Sequence, residues 1–166
     1  MGASVSSRTR PVRASVSSIH GKGLFALKQY IRGDLVGEYR GRIISLAEVN
    51  TTSSAADPDP AYTLLFSLSG DLFIDAGIKG NSIRFMNHSC APNCRSVLEG
   101  TRIFLYARRR IAVGEELTYD YSLQPLDASD TADMYPCNCG SSKCRGSLLD
   151  RAVRRRMAGL RLQSPT

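Results

Sequence analysis

Five cysteines, Cys90, Cys94, Cys137, Cys139 and Cys144, are the side chains of this sequence best suited to chemistry at close range. Three of them form a C-x-C-x4-C knuckle inside CNCGSSKCRG (137–146), where Gly140 lets the chain turn. Thiolates this close suit a tetrahedral zinc ion, with zinc–sulfur bonds of about 2.3 Å. Three ligands are one short of a closed structural site, so a fourth must come from elsewhere. Cys90 and Cys94, both in NHSCAPNC (87–94), are the available donors. The bland alternative is a chance cluster of buried cysteines. An odd number of cysteines, in a chain whose first thirty residues lack the apolar core of a secretory leader, argues against a disulfide scaffold and for a reducing compartment.

Two further stretches concentrate polar groups where apolar ones dominate. GNSIRFMNHSCAPNC (80–94) carries Asn81, Arg84, Asn87, His88 and Ser89 between apolar residues. Polar groups there must find partners if buried, which points to a backbone-binding or ligand-binding role. A lone histidine is more often a satisfied core residue than a catalyst, but His88 stands two residues from a candidate zinc cysteine. GEELTYDY (114–121) sets Tyr119 and Tyr121 two apart, on one face if the segment is a strand. Strand tyrosines usually just pack. Near a polar site they can instead line a channel, since a phenol offers an apolar ring and a hydroxyl.

Short β-like runs punctuated by glycine must position these groups: VRASVSSI, GKGLFALK, DLVGEYRGRII, YTLLFSL, DLFIDAG, SVLEG and RIFLYARR. SLAEVN (45–50) is the only candidate helix before residue 80, with Ser45 as cap and Glu48 completing a capping box. GKG lies between strands with no helix after it, so there is no dinucleotide-binding pattern, and no internal repeat is present. Near the end, Ser147-Leu148-Leu149-Asp150 reads as a capping box. Leu149, Val153, Met157 and Leu160 then fall on one helical stripe flanked by arginines. The expectation is a mainly β domain with few short helices and a C-terminal amphipathic helix.

Composition sets the outer limits. At 166 residues, with 42% hydrophobic and 22% charged residues, the chain is one globular domain by length and can build a core. No run approaches the ~18–20 apolar residues of a membrane span. The net charge of +7 sits wholly at the ends. Arg8, Arg10, Arg13, Arg151, Arg154, Arg155, Arg156 and Arg161 face one terminal acid, Asp150, while residues 14–149 balance 14 bases with 14 acids. Solvated faces explain such arginines, and a nuclear-targeting or nucleic-acid patch is the alternative. The neutral middle argues against direct nucleic-acid binding.

Five motifs in order, GKGLFA (21–26), GEYRGRII (37–44), IDAGIKGNSIRFMNHSCAPNC (74–94), GEELTYDY (114–121) and CNCGSSKCRG (137–146), resemble SET-domain protein lysine methyltransferases, the last resembling their post-SET zinc motif. Nothing in the sequence resembles the cysteine-rich pre-SET domain of some members, so the likeness is to a compact stand-alone form, a kind that occurs in bacteria as well as eukaryotes. The resemblance implies a SET fold of small curved sheets, with the NHSC segment threaded under the loop after ELTYDY as a pseudoknot. That threading is an exception to ordinary topology and would bring residues 84–90 and 117–121 together. It divides the chain into a lead-in (1–11), a SET domain (12–130, with a variable insert at 45–62), a post-SET zinc motif (131–148) and a basic helix and tail (149–166).

The same resemblance assigns S-adenosylmethionine to His20, Lys22, Gly23, Arg84, Asn87, His88 and Asn138. It gives structural zinc to Cys90, Cys137, Cys139 and Cys144, which leaves Cys94 free. Catalysis falls to Tyr121, with Tyr39 and Tyr119 walling the substrate channel. A tyrosine rather than phenylalanine at 119 implies mono- or dimethylation. One departure stands out: the cofactor-side tyrosine of many relatives corresponds to Leu64, with Tyr62 two residues earlier. The implied substrate is a lysine-bearing protein, a basic histone tail first, and Glu48, Asp57 and Asp59 in the insert would supply an acidic groove for it. The implied location is intracellular: nucleus or chromatin for a eukaryotic or host-directed form, cytoplasm for an ordinary bacterial one. The alternative is a non-catalytic, zinc-stabilised binding module of the same fold. The sequence says nothing of oligomeric state.

Overall fold

The computed structural model describes residues 11–52, 64–125 and 130–161, with side chains described up to Val49 and Met157 in the two flanking helices. Residues 1–10 of the expected lead-in (1–11), the insert residues Asp57, Asp59 and Tyr62, and the tail after Arg161 lie outside the described residues.

Among the described residues, ten short strands make three small sheets. In the first, β1 (Val12–Val16) pairs antiparallel with β2 (Lys22–Ala26). β10 (Glu116–Tyr119) lies antiparallel on the other side of β2, and β7 (Asn87–His88) closes the sheet parallel to β10. The second has the order β3 (Leu35–Tyr39), β9 (Arg102–Ala107), β8 (Cys94–Glu99), all antiparallel. The third joins β4 (Arg42–Ser45), β6 (Leu72–Asp75) and β5 (Leu65–Ser67).

Period-two burial explains the strands. In β9, Ile103, Leu105 and Ala107 are buried, while Arg102 is exposed and Phe104 and Tyr106 are half-covered. Gly100, at φ +62°, makes the β8–β9 turn, a conformation that favours glycine. Leu24, Met86, Ile103, Leu105, Ile111 and Leu117 interlock in the main core, each at most 1% exposed. A second, smaller cluster gathers Cys90, Cys137, Cys139 and Leu148, with Ile19, Tyr121, Leu123 and Tyr135 packed against it.

Helix α1 (Leu46–Thr52) starts where the capping box requires. Glu48 N donates to Ser45 Oγ, and Ser45 N donates to Glu48 Oε2 at 2.9 Å. Helix α2 (Arg151–Arg161) departs from expectation at its start. Its cap is Asp150, not Ser147: Asp150 Oδ1 accepts from the amides of Ala152 and Val153. Leu149 is therefore not on the helical stripe but precedes it, fully buried and bridged in parallel to Leu123. Val153 is buried and Met157 half-buried on the docked side. Among the described residues no helix is long and apolar enough to cross a membrane.

The β7–β10 pairing matters most for function. Register partners Thr118↔Asn87 and Tyr119↔His88 put the NHS segment alongside LTY, as the expected threading requires. Ser89 N extends the ladder to Tyr119 O at 3.1 Å.

Candidate functional site

Three elements deliver aromatic rings to one place. Tyr39 at the end of β3 lies 5.4 Å from Phe66 of β5, and Phe66 stacks on Tyr119 of β10 at 5.9 Å, nearly parallel. Tyr119 and Tyr121 are 4.9 Å apart, although the strand ends at Tyr119, so Tyr121 reaches the cluster from just beyond the strand. The Tyr39 phenol donates to the Leu64 carbonyl at 2.8 Å, and the Tyr121 phenol to the Met86 carbonyl at 2.9 Å. Burial pushes the Tyr39 and Tyr119 phenols well above their ordinary range, each raised further by neighbouring tyrosine, so both stay neutral hydroxyls. The Tyr119 hydroxyl has no hydrogen-bond partner among the described residues. Four aromatic faces and one unengaged hydroxyl suit a narrow channel for an uncharged chain end.

His88 is the hinge between this wall and the thiols. Its Nδ1 accepts the Tyr121 amide at 3.0 Å, so the neutral ring carries its proton on Nε2, which lies 3.3 Å from Cys90 Sγ. Burial drives its pKa down to about 4, with Arg145 adding to the effect and Asp120 opposing it. His88 is a donor toward sulfur, held in one tautomer.

The residues assigned to a cofactor divide into two groups. Lys22 Nζ and the Arg84 guanidinium each sit over the Phe85 ring, at 5.5 Å and 4.8 Å, and Arg84 Nη1 also donates to the Ala76 carbonyl at 3.0 Å. Asn87 does different work. Its Nδ2 has four acceptors within 3.1 Å: Ser17 Oγ, the carbonyls of His20 and Lys22, and Glu116 Oε1. That is more than two hydrogens serve singly, so the amide is committed to the 17–22 loop. Gly23 is required by the same network, because an added Cβ would lie 2.2 Å from Glu116 Oε1. His20 is half-buried in the loop, and Asn138 is exposed within the knuckle.

The thiols converge as their spacing suggests. Cys90 and Cys144 Sγ each lie 3.7 Å from Cys137 Sγ, and Cys139 Sγ accepts the Cys90 amide at 3.4 Å. His88, Cys90, Cys137 and Cys139 place their donor atoms within 4.8 Å of one another. Burial raises the Cys137 thiol. At Cys139 burial is outweighed by the amides of Cys90 and Ser141 and the hydrogen bonds of Cys137 and Cys144, which lower its thiol. Soft, mutually adjacent sulfurs in a small apolar cluster fit a zinc ion. Cys94 is apart, buried in the main core with its thiol pushed up to about 12 by burial. The acidic-groove expectation receives no support at Glu48, which is spent on the α1 cap and on Arg42 at 2.8 Å.

Some contributors gave no local signal in the sequence. Phe66 is one apolar residue in an apolar run. Ser17 and Glu116 meet only because β2 and β10 pair. Asp120 and Arg145 form a two-pronged ion pair at 2.8 Å and 2.5 Å across 25 residues.

Comparison with known proteins agrees with this geometry. The SET domain model matches residues 21–122. Histone-lysine N-methyltransferase 2B of Homo sapiens is 41% identical over 133 residues, covering 78% of this chain and 5% of that protein. The H3 lysine-4 specific histone-lysine N-methyltransferase of Schizosaccharomyces pombe is 41% identical over 146 residues (85% and 15%), and trithorax of Drosophila melanogaster 38% over 133 (78% and 3%). The chain thus spans 3 to 15% of the length of these relatives. The matched stretch runs from the turn before β2 through the β7–β10 pairing to the residue after Tyr121, and by that match the chain belongs to the SET domain family.

Proposed function

We propose that this chain is an S-adenosylmethionine-dependent protein-lysine N-methyltransferase acting on a histone tail, with mono- or dimethyl-lysine as product. The observation that carries the reading is the run of ring contacts from Tyr39 through Phe66 and Tyr119 to Tyr121, with Tyr121 tied through both its amide and its phenol to residues 86–88. The relatives' names make lysine 4 of histone H3 the first substrate to test. They also favour a nuclear, chromatin-bound setting.

The bound cofactor supplies a methyl group on a positively charged sulfur. Lys22 and Arg84 would hold its carboxylate, while Asn87, Ser17 and Glu116 fix the loop that carries His20 and Lys22. A free lysine, with a pKa of ~10.4, is mostly ammonium at neutral pH, and only the neutral amine is a nucleophile. The aromatic wall disfavours the ammonium by excluding water. Tyr121 Oη donates a hydrogen bond to Met86 O and would accept one from the amine N–H, which aligns the nitrogen for in-line approach. The Tyr119 hydroxyl occupies room that a third methyl needs.

Zinc in this reading is held by Cys90, Cys137, Cys139 and Cys144, with His88 Nε2 donating to Cys90 from outside the ligand set. It shapes the knuckle and does no chemistry on the amine. Leu64, where many relatives have tyrosine, costs the wall little, because it anchors Tyr39 through its backbone carbonyl.

The test is methyl transfer from labelled S-adenosylmethionine to core histones, wild type against Tyr121→Phe. Label on a lysine, lost in the variant, is the expected result. A folded, zinc-loaded protein that transfers nothing would move the reading to a binding module.

A further inference from the structure

The thiol knuckle and Tyr121 belong to different parts of the chain, and besides His88 a second side chain links them. Arg145 follows Cys144 directly. Its amide donates to Cys90 Sγ at 3.4 Å, so its backbone lies in the sulfur cluster. Its guanidinium passes inward, only 9% exposed, and grips both oxygens of Asp120. A third bond runs from Nη2 to the Leu149 carbonyl at 3.3 Å. Asp120 stands between Tyr119 and Tyr121, and its Oδ1 also accepts the Ser122 amide at 3.1 Å. Ser122 has φ +47°, a conformation a serine holds only when its surroundings impose it.

We propose that Arg145 is a positioning residue: by its two-pronged hold on Asp120 it transmits the order of the metal-loaded knuckle to the Tyr119–Ser122 turn and so sets the place of Tyr121. The proposal rests on the reading of the thiols as zinc ligands and of Tyr121 as the residue that meets substrate. Besides the Tyr121 phenol on Met86 O and the Leu123 amide on Leu148 O, two side-chain contacts hold the Tyr121 turn. One is His88 Nδ1 on the Tyr121 amide, which comes from the β7 side. The other is Arg145 on Asp120, which comes from the knuckle. Of these two, His88 meets the thiols only at Cys90, whereas the second comes from the C-x-C-x4-C loop itself. A planar fork is needed for it, since a lysine would offer one point charge and could not fix Asp120 in rotation.

The experiment uses the full chain, zinc-loaded and after chelation, and reads amide hydrogen exchange over residues 119–123 by mass spectrometry. Segments 22–26 and 102–107 serve as references. In Arg145→Gln with zinc still bound, exchange over 119–123 should be about ten- to a hundredfold faster, as expected when a buried charged pair is broken. The reference strands should be unchanged. Chelated wild type should show the same local loosening, and Arg145→Lys should restore little of the protection. In methyl transfer, kcat should fall while KM for S-adenosylmethionine holds. Wild-type protection over 119–123 in the zinc-loaded variant overturns the proposal. So does equal loosening of all segments, which is a merely structural role, or loss of zinc, which would make Arg145 a support for the thiols. Should Arg145→Gln fail to fold, Asp120→Asn reads the same link and leaves the Arg145 amide on Cys90 intact. The exchange arm does not depend on turnover, so an inactive wild type would defeat the proposed function and leave this result readable.

Discussion

The rings of Tyr119 and Tyr121 lie 4.9 Å apart, yet among the described residues only one of the two hydroxyls finds a partner. Tyr121 donates to the Met86 carbonyl, whereas Tyr119 has no partner among the described residues. A nearly buried hydroxyl without a protein partner is held for water or ligand, because leaving it unpaired costs about 1–3 kcal/mol. Removing it should therefore open room and cost the fold little. Tyr119→Phe is expected to fold with near wild-type stability and to shift product from mono- and dimethyl toward trimethyl-lysine. Mass spectrometry of a histone peptide at matched turnover checks this, and an unchanged product distribution would refute the role given to the hydroxyl.

The ligand set makes a sharper claim, because five donor atoms compete for four places. His88 Nδ1 is taken by the Tyr121 amide, which leaves its proton on Nε2 facing Cys90, so it is a donor and not a ligand. Cys144→Ser should thus lose zinc. Cys94→Ala should keep it, while losing about 1–3 kcal/mol from the core by emptying a buried position. Zinc content after dialysis against a competing chelator decides between the two. Retention in Cys144→Ser together with loss in His88→Gln would make His88 the fourth ligand.

Strands, the α1 cap and the thiol knuckle were legible because their signals are local. Alternation in RIFLYA, the Ser45–Glu48 spacing and C-x-C-x4-C each act within a few residues. The α2 cap was misplaced for an instructive reason: SLLD holds two side chains able to cap, and the choice is made by Leu149, which must stay extended to pair with Leu123. Phe66, Glu116 and the Asp120–Arg145 pair were not readable. Their roles arise from strand pairing and from contacts across long stretches of chain, which no periodicity encodes. Nor was it readable that Asn87 spends its amide on a loop.

Gly23 is fixed by that loop. A Cβ there would strike the Glu116 carboxylate, whose oxygens already accept from Ser17 and Asn87, so the carboxylate cannot step aside freely. Gly23→Ala is expected to cost about 1–3 kcal/mol, the range for overpacking a filled site, and to weaken S-adenosylmethionine binding by disturbing the His20–Lys22 backbone. In a Glu116→Ala background the same change should cost much less. Denaturant melts of the four proteins in a double-mutant cycle measure this, and additive losses would show that Glu116 is not the obstacle.

The outer face of β3 gives a pH signature independent of the site. Glu38 bonds Arg102 at 2.7 Å and Arg40 at 2.8 Å. The Arg102 hydrogen bond leads, against some burial cost and with Arg40 assisting, in lowering its carboxyl from 4.5 to about 2. A carboxylate whose pKa is depressed on folding stabilises the fold above the unfolded value and loses that contribution as acid titrates the folded form. The Glu38 contribution is therefore whole above about pH 4.5 and fades between there and about pH 2. Both arginines are largely exposed, so salt screens the pair and the effect is modest. Glu38→Gln should lower Tm at neutral pH, and the gap to wild type should narrow as pH falls through that window. Paired thermal melts across the acid range give the comparison. A gap that persists undiminished to pH 2 would mean that glutamine is losing packing at position 38, not charge.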